Sequence, residues 1–439
     1  MKGLLFTYVL TYGGALTSLV RPYYGLLIYV CFSIIKPESL WYWSVPEGNY
    51  SRIVALAMLV GWSIHGCGNW RLGRARVTTA ALLCYLVWNI VSSLFASDEQ
   101  IARNCVEELV KIVLPFLVGV TLVDSVAKLK QLAWVIFLSQ GYLAFEFNFS
   151  YYFEGFNRIK EVGFAGMEEG SVAIGLVTVA GIGLFLGFSA KTWWAAAMAL
   201  VLTLLMVNAV FLSFSRGGML GLLVLAAVAF LLIPKTLKHC LLFALVLSLG
   251  LRLAGPQVQD RFSTSFAGEE NRDDSAQSRL ILWGNCIDAM MRNPITGLGP
   301  HHFPLYVHEY GWARGKEGHT LWLQIGAELG VPGLAFLLCF YGFTFIQLWP
   351  IARQRRPVVD PWLQHAARMV VASLAGFVVA GQFISPSAVE LPYYVTLIGA
   401  IALKLNSHAI GDAAAPISLP RLALPRFSTV PQVSRARQF

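Results

Sequence analysis

Three residues in this chain have the types, and stand at the breaks in apolar sequence, that chemistry on a phosphorylated substrate would need. Arg216 lies in Leu212-Ser213-Phe214-Ser215-Arg216-Gly217-Gly218, a polar turn cut into a long apolar region. Its two glycines let backbones approach closely or turn sharply. Arg279 lies in Gln277-Ser278-Arg279-Leu280-Ile281-Leu282-Trp283. Planar guanidinium groups grip phosphate oxygens through paired hydrogen bonds, and two of them suit a pyrophosphate. His319 follows Gly315-Lys316-Glu317-Gly318 and is placed by the sequence in the first turn of a long apolar helix. A helix N-terminus and nearby arginines both oppose protonation of imidazole, so His319 would stay neutral and able to accept a proton. The other histidines of the region, His301, His302 and His308, read as loop-surface residues. No Asp-x-Asp pair and no His or Cys ligand spacing points to a metal, and Asp273-Asp274 reads as part of a solvated acidic run, Glu269–Asp274.

The elements that must position these groups are membrane helices. Of 439 residues, 56% are hydrophobic and only 13% charged, about half the charged share of a soluble protein. Apolar runs of the ~18–20 residues that span a bilayer recur along the chain. Candidate runs extend from Leu4–Leu19 to Val389–Leu405 and include Leu109–Val123, Leu237–Leu253 and Leu321–Leu348. The first few are short for a full crossing, so the expectation is an all-α polytopic membrane protein with about 12 transmembrane helices and a large, partly helical loop. Lys2 precedes apolar sequence without a small-residue cleavage site, so the first helices themselves serve as targeting signal.

One set of connecting loops carries Arg21, Arg71, Arg74, Arg76, Lys128, Lys130, Lys191, Lys235, Lys238, Arg353, Arg355 and Arg356, against only Asp124 and Asp360. The positive-inside rule makes that set cytoplasmic. The alternate loops, such as Ser97–Glu108 and Glu154–Glu169, are mixed or acidic and face outward. Residues 1–254 and 319–406 therefore read as transmembrane helices, 255–318 as an external loop that carries chemistry, and 407–439 as a flexible cytoplasmic tail. The net charge of +9 is mostly topological and gives no reason to expect nucleic acid. Arg216 and Arg279 fall on the same, outer side. A lone arginine at a helix end would be a snorkelling anchor, but a matched pair argues for a ligand. Glu146 and Glu328 are intramembrane acids and so functional candidates by default. A Tyr partner would suffice for Glu146. Glu328 lies nine residues past His319, roughly 13 Å deeper at 1.5 Å per residue, and reads as a bundle brace. Of the seven cysteines only Cys105 and Cys286 reach the outer side, and no pairing is expected.

The run His319-Thr320-Leu321-Trp322-Leu323-Gln324-Ile325-Gly326-Ala327-Glu328-Leu329-Gly330-Val331-Pro332-Gly333 resembles the signature of bacterial O-antigen ligases, in which a His opens a helix followed by Glu, Gly and Gly at this spacing. Arg279, Trp283, Pro294, Gly297, Gly299 and Phe303 match the loop of that family, and Ser215-Arg216-Gly217-Gly218 matches its earlier Arg turn. The three motifs occur in family order within about the central third of the chain. The amino-terminal third resembles exosortase-associated O-glycosylation ligases. The resemblance implies a metal-independent, cofactor-free inverting glycosyltransferase of the bacterial inner membrane with its active site facing the periplasm. Its donor would be a glycan on undecaprenyl pyrophosphate and its acceptor a lipid A–core sugar. His319 would then deprotonate the acceptor hydroxyl, Arg216 and Arg279 would hold the leaving pyrophosphate, and Gly217, Gly218, Trp283, Gly297, Gly299, Glu328, Gly330 and Gly333 would shape the site. A polysaccharide polymerase or a protein O-glycan ligase would use the same donor with another acceptor. A lipid-glycan flippase or transporter is the reading from a different class; such proteins place polar groups at the membrane midplane, whereas here they gather at one face.

The orientation is directly testable. In a cysteine-free background, a single cysteine near position 257 should react with an impermeant reagent from outside the inner membrane, and cysteines near 74 and 355 should not. External labelling near 355 would reverse the orientation and the side of the site with it.

Overall fold

The computed structural model describes residues 2–233, 274–385 and 390–414, with single positions between 235 and 248. Among these the regular secondary structure is helical, apart from one isolated bridge between Phe164 and Met167. In chain order the long helices are α1 (Lys2–Val20, with a π-helical turn at Val9–Gly13), α2 (Pro22–Ile35), α3 (Tyr50–Ile64) and α4 (Ala75–Ser93). They continue with α5 (Glu99–Leu122), α6 (Val126–Phe153), α7 (Glu169–Ser189), α8 (Trp193–Leu212) and α9 (Arg216–Leu232). The last four are α10 (Asp274–Arg292), α11 (Leu321–Ala352), α12 (Pro361–Ala380) and α13 (Leu391–Ala414). Six of them are long and apolar enough to cross a membrane: α1, α4, α7, α8, α11, and α12 extended to Phe383. Arg261, Arg272, the acidic run before Asp274, most of Leu237–Leu253 and the tail beyond Ala414 lie outside the described residues.

The centre of the bundle is α7, with 83% of its apolar window inside the protein. It packs against α12, and α12 against α9, at small residues. A Cβ on Gly221 would lie 2.9 Å from the Gly376 carbonyl oxygen, and one on Gly376 equally close to that of Gly221. In lipid there is no hydrophobic gain from bringing helices together, so contact depends on such close backbone approach.

The two ends of the bundle differ in charge. At one end Tyr23 Oη donates to Lys128 O at 2.7 Å, Arg74 N to Ser407 Oγ at 3.3 Å, and Val359 N to Asn406 Oδ1 at 3.3 Å. Those contacts bring the cationic loops of the sequence together. Buried Lys404 also lies there, with Nζ donating to Val120 O at 2.7 Å. At the other end Arg158 Nη2 donates to Ser39 O and Asn157 Nδ2 to Leu212 O, both at 2.8 Å. That end holds the Arg216 turn and the loops around α10.

Three expectations about elements change. Residues Ser97–Glu108 are mostly helix rather than loop, because Asp98 caps α5 by accepting from Gln100 N at 3.0 Å and Ile101 N at 3.1 Å. An Arg103–Glu99 pair one turn apart supports the same stretch. Helix α13 runs past Asn406 to Ala414, since no proline interrupts it before Pro416. The third change matters most. The long helix after His319 is not continuous: Gly330 has φ 68° and ψ −173°, which breaks α11 in two.

The break is filled by the loop after α10. Leu298 N donates to Ala327 O at 3.0 Å, Gly299 N to Glu328 O at 2.9 Å, and Val331 N to Pro294 O at 2.9 Å. Trp88 Nε1 on α4 takes Leu329 O at 2.8 Å. Gly330 and Gly297 both have φ of 68°, a region costly for residues with a Cβ. A Cβ on Gly330 would overlap the Ile295 carbonyl, and one on Gly297 would overlap the Glu328 backbone. Gly330→Ala should therefore lower stability by roughly 1–3 kcal/mol or more. Gly342→Ala, in the same helix with nothing within 4 Å of its Cβ position, should instead stabilise by about 0.5–1 kcal/mol. Thermal scans of both variants in one detergent check this; equal effects would show that the break is not what the fold requires.

Candidate active site

His319 stands just ahead of α11 rather than in its first turn. Thr320 is the N-cap, its side chain accepting from Leu323 N at 3.4 Å. His319 itself has φ 48°, a left-handed conformation that costs a non-glycine residue about 1–3 kcal/mol and is kept only where the surroundings enforce it. Gln324, one turn into α11, supplies that enforcement. Its Oε1 accepts from Gly318 N at 2.9 Å, while its Nε2 donates to Glu317 Oε2 at 2.5 Å and to Glu328 Oε1 at 2.9 Å. Glu328 Oε2 in turn accepts from His301 N at 3.0 Å. Glu328 thus ties the helix to the inserted loop at its own depth and does not reach His319. On the other side α10 presses close: a Cβ on Gly318 would lie 2.8 Å from Cys286 Sγ.

The electrostatics at His319 favour the neutral ring. Burial disfavours the imidazolium first, the charges of Arg279 and Lys316 add to it, and Glu169 at the start of α7 opposes it. The net result is a pKa lowered to about 4. Arg279, half-buried on α10, therefore lies near enough for its charge to act on His319. The Arg216 turn is linked to α10 through shared neighbours. Arg216 is the first residue of α9, behind the Ser215 cap, whose Oγ accepts from Gly218 N at 3.2 Å. Gly217 sits against Phe383, where a Cβ would lie 2.6 Å from the Phe383 Cβ, and Phe383 also packs on Trp283 with ring centroids 5.9 Å apart. Trp283 follows Arg279 by one turn, on the same face of α10. Its Nε1 is buried with no acceptor among the described residues. Gly218 fits against Ala173 of α7, beside Glu169. Guanidinium groups and an indole N–H are donors suited to phosphate oxygens, and a neutral imidazole can accept a proton.

The remaining motif residues shape the frame. Gly297, Gly299 and Gly330 form the loop insertion, and Gly333 lies under Trp88. The other histidines separate cleanly. His302 is not at the surface: it is fully buried, Nδ1 donating to Pro300 O at 2.8 Å and Nε2 accepting from Asp98 N at 3.0 Å. It pins the loop to the α5 cap. His308 is exposed, and His301 lies 4.0 Å from Glu317. Glu146 has a Tyr partner, Tyr142. The cysteines are free, Cys286 being buried. Sequence reading missed Gln324 and Glu169. Gln324 was signalled by its spacing, one turn from both Thr320 and Glu328. Glu169 lies 150 positions before His319 in the chain and carried no signal.

An NMR titration with labelled imidazoles, assigned by loss of one signal in His319→Ala, should find His319 protonating near pH 4. An ordinary exposed histidine titrates near 6.5. Lys316→Gln removes a positive charge that opposes protonation, so the midpoint should move upward. A wild-type midpoint near 6.5 would show that neither burial nor the cations act on the ring.

Residues 1–188 match a family of unknown function (DUF5935), and residues 201–338 match the family described as O-antigen ligase. No curated protein matches the chain. The ligase match covers the Arg216 turn, Arg279, the inserted loop and His319 through Glu328, and it supports assigning this membrane chain to the O-antigen ligase family, with an activity of the general ligase and polymerase type.

Proposed function

We propose that the protein is an inverting O-antigen ligase. It transfers a glycan from undecaprenyl pyrophosphate to a sugar hydroxyl of a lipid A–core acceptor, without a metal or cofactor. The site faces the periplasm, in an inner-membrane bundle of about twelve crossings, with the tail after Asn406 in the cytoplasm. The observation that carries this reading is a strained, neutral His319 held beside Arg279. His319 takes the proton of the acceptor hydroxyl as its oxygen attacks the anomeric carbon. The bond from that carbon to the pyrophosphate oxygen breaks on the opposite face, and the lipid pyrophosphate leaves with the electron pair. Arg216 and Arg279 stabilise its developing charge, the work that a divalent cation does elsewhere. The buried Trp283 Nε1 is a further donor for the same oxygens.

The test is reconstitution of the purified protein with lipid-linked glycan and either lipid A–core or a second glycan lipid. The product on lipid A–core supports the ligase; elongation of the glycan lipid instead would make it a polymerase. His319→Ala should lose about 10²–10⁴ in rate, and chelator should leave the wild type unchanged. Arg216→Lys and Arg279→Lys keep charge but lose the planar fork. Each should forfeit a charge-assisted hydrogen bond of ~1.5–3 kcal/mol, or about ten- to a hundred-fold in rate. Arg→Ala should lose more, and Arg272→Lys, outside the matched motifs, serves as control. Lysine variants that ligate like wild type would return both arginines to the role of interfacial anchors.

A further inference from the structure

A cavity of about 450 Å³ lies between the two family-matched regions, at the end of the bundle that carries the site. That volume falls within the ~300–1,000 Å³ typical of small-molecule sites. Residues 1–188 contribute Lys36, Tyr85, Asn89, Asn104 and Glu108 to its wall. The ligase region contributes His301, Leu321, Ile325 and Glu328, so the cavity begins two residues from His319. Tyr341, Glu390 and Tyr393 close the remaining side. Tyr341 and Tyr393 pack against each other, their ring centroids 5.9 Å apart.

The chemistry of this wall selects its occupant. Tyrosine rings offer apolar faces with polar edges, suited to the C–H face of a pyranose ring. Asn89 is 2% exposed and spends Nδ2 on Tyr85 O at 2.9 Å, which leaves Oδ1 as an acceptor. Asn104 and Glu108 stand exposed at the rim, Glu108 pairing with Lys111 at 2.5 Å. The wall also carries Ile101, Leu109, Ile112, Leu337 and Phe377, but an acyl chain filling it would bury the Asn89 amide and the Glu328 and Glu390 carboxyls against hydrocarbon, which is costly without hydrogen bonds. A diphosphate would meet the carboxyl groups of Glu108, Glu328 and Glu390 in a wall whose one lysine or arginine is Lys36, Lys111 being paired with Glu108 at the rim, whereas Arg216 and Arg279 lie elsewhere. The fitting ligand is a neutral or amino-substituted sugar.

We propose that this cavity is the acceptor-sugar subsite, and that the region of unknown function supplies half of its wall. The proposal rests on the glycosyl-transfer reading above for its role, though not for its ligand. The test uses the full chain in phospholipid nanodiscs, with deacylated core oligosaccharide as probe and no donor present. Saturation-transfer NMR should show the oligosaccharide contacting wild-type protein. Asn104→Trp, which blocks the rim from an exposed position, and Asn89→Leu, which removes an interior amide, should each abolish most of that signal. In turnover with donor, both variants should raise the acceptor KM by about tenfold or more while the donor KM stays within about twofold. If no acceptor is glycosylated by wild type but oligosaccharide contact is still lost in both variants, the transfer reading fails and the sugar site stands. Unchanged contact and unchanged KM would overturn the proposal. So would a rise in donor KM alone, which assigns the cavity to the donor glycan, or a phospholipid retained by wild type in native mass spectrometry and displaced by Asn104→Trp.

Discussion

The break in α11 at Gly330 is the constraint on which the rest of the structure depends. A helix interrupted inside a membrane protein exposes carbonyls that lipid cannot satisfy. Here those of Ala327, Glu328 and Leu329 are taken by Leu298 N, Gly299 N and Trp88 Nε1, and Pro294 O receives Val331 N in return. The loop and the break therefore specify each other. Neither would be tolerable alone, since the loop needs acceptors at that depth and the helix needs donors. Pro332 stands just past the break, where the helix restarts and a missing N–H costs little.

From this junction order passes outward to the reactive groups. Gly299 fixes where Pro300 and His301 lie, His302 pins the same loop to the cap of α5, and His301 N fixes Glu328. Glu328 and Glu317 share the amide of Gln324, whose oxygen holds Gly318 N and with it the left-handed turn at His319. Each polar atom in this chain of contacts has a protein partner, as a low-dielectric interior demands. His319 is thus positioned by hydrogen bonds made well below it, next to a helix whose irregularity is what allows the loop to enter.

Much of this was legible in the sequence, and the parts that were not share a cause. Composition and cation bias gave the helical membrane class and grouped the loops that the structure gathers at one end. The polar turn around Arg216, Arg279 on its own helix, and His319 stood out because charged or ionisable groups at membrane helix ends are few. What stayed hidden depends on contacts between distant segments. A run from Leu321 to Leu348 reads as one helix by hydropathy, and only the loop pressed against Gly330 shows why it breaks. His302 looks like a surface histidine until Asp98 N is found on its ring. Glu169 belongs to the site because α7 starts beside the Ser215 turn, where a Cβ on Gly170 would approach Ser215 Oγ to 3.9 Å. Helix periodicity carries no record of that neighbour.

The charges around His319 also divide by side, and the division bears on the order of events under the proposed reaction. Arg279 and Lys316 oppose the imidazolium, and burial opposes it more strongly. An empty site therefore holds the ring ready as a base. A bound diphosphate adds negative charge next to the same cations and offsets their effect on the ring, so the proton taken from the acceptor is best tolerated while the leaving group is still in place. Once the lipid pyrophosphate departs, the cations face the ring alone and the proton is expelled. Release of product and regeneration of the base are then one electrostatic event, driven in part by the Arg279 guanidinium that also stabilised the leaving group. A lysine at position 279 would keep part of that coupling through its charge while losing the geometry of the grip, which separates resetting the base from binding the diphosphate.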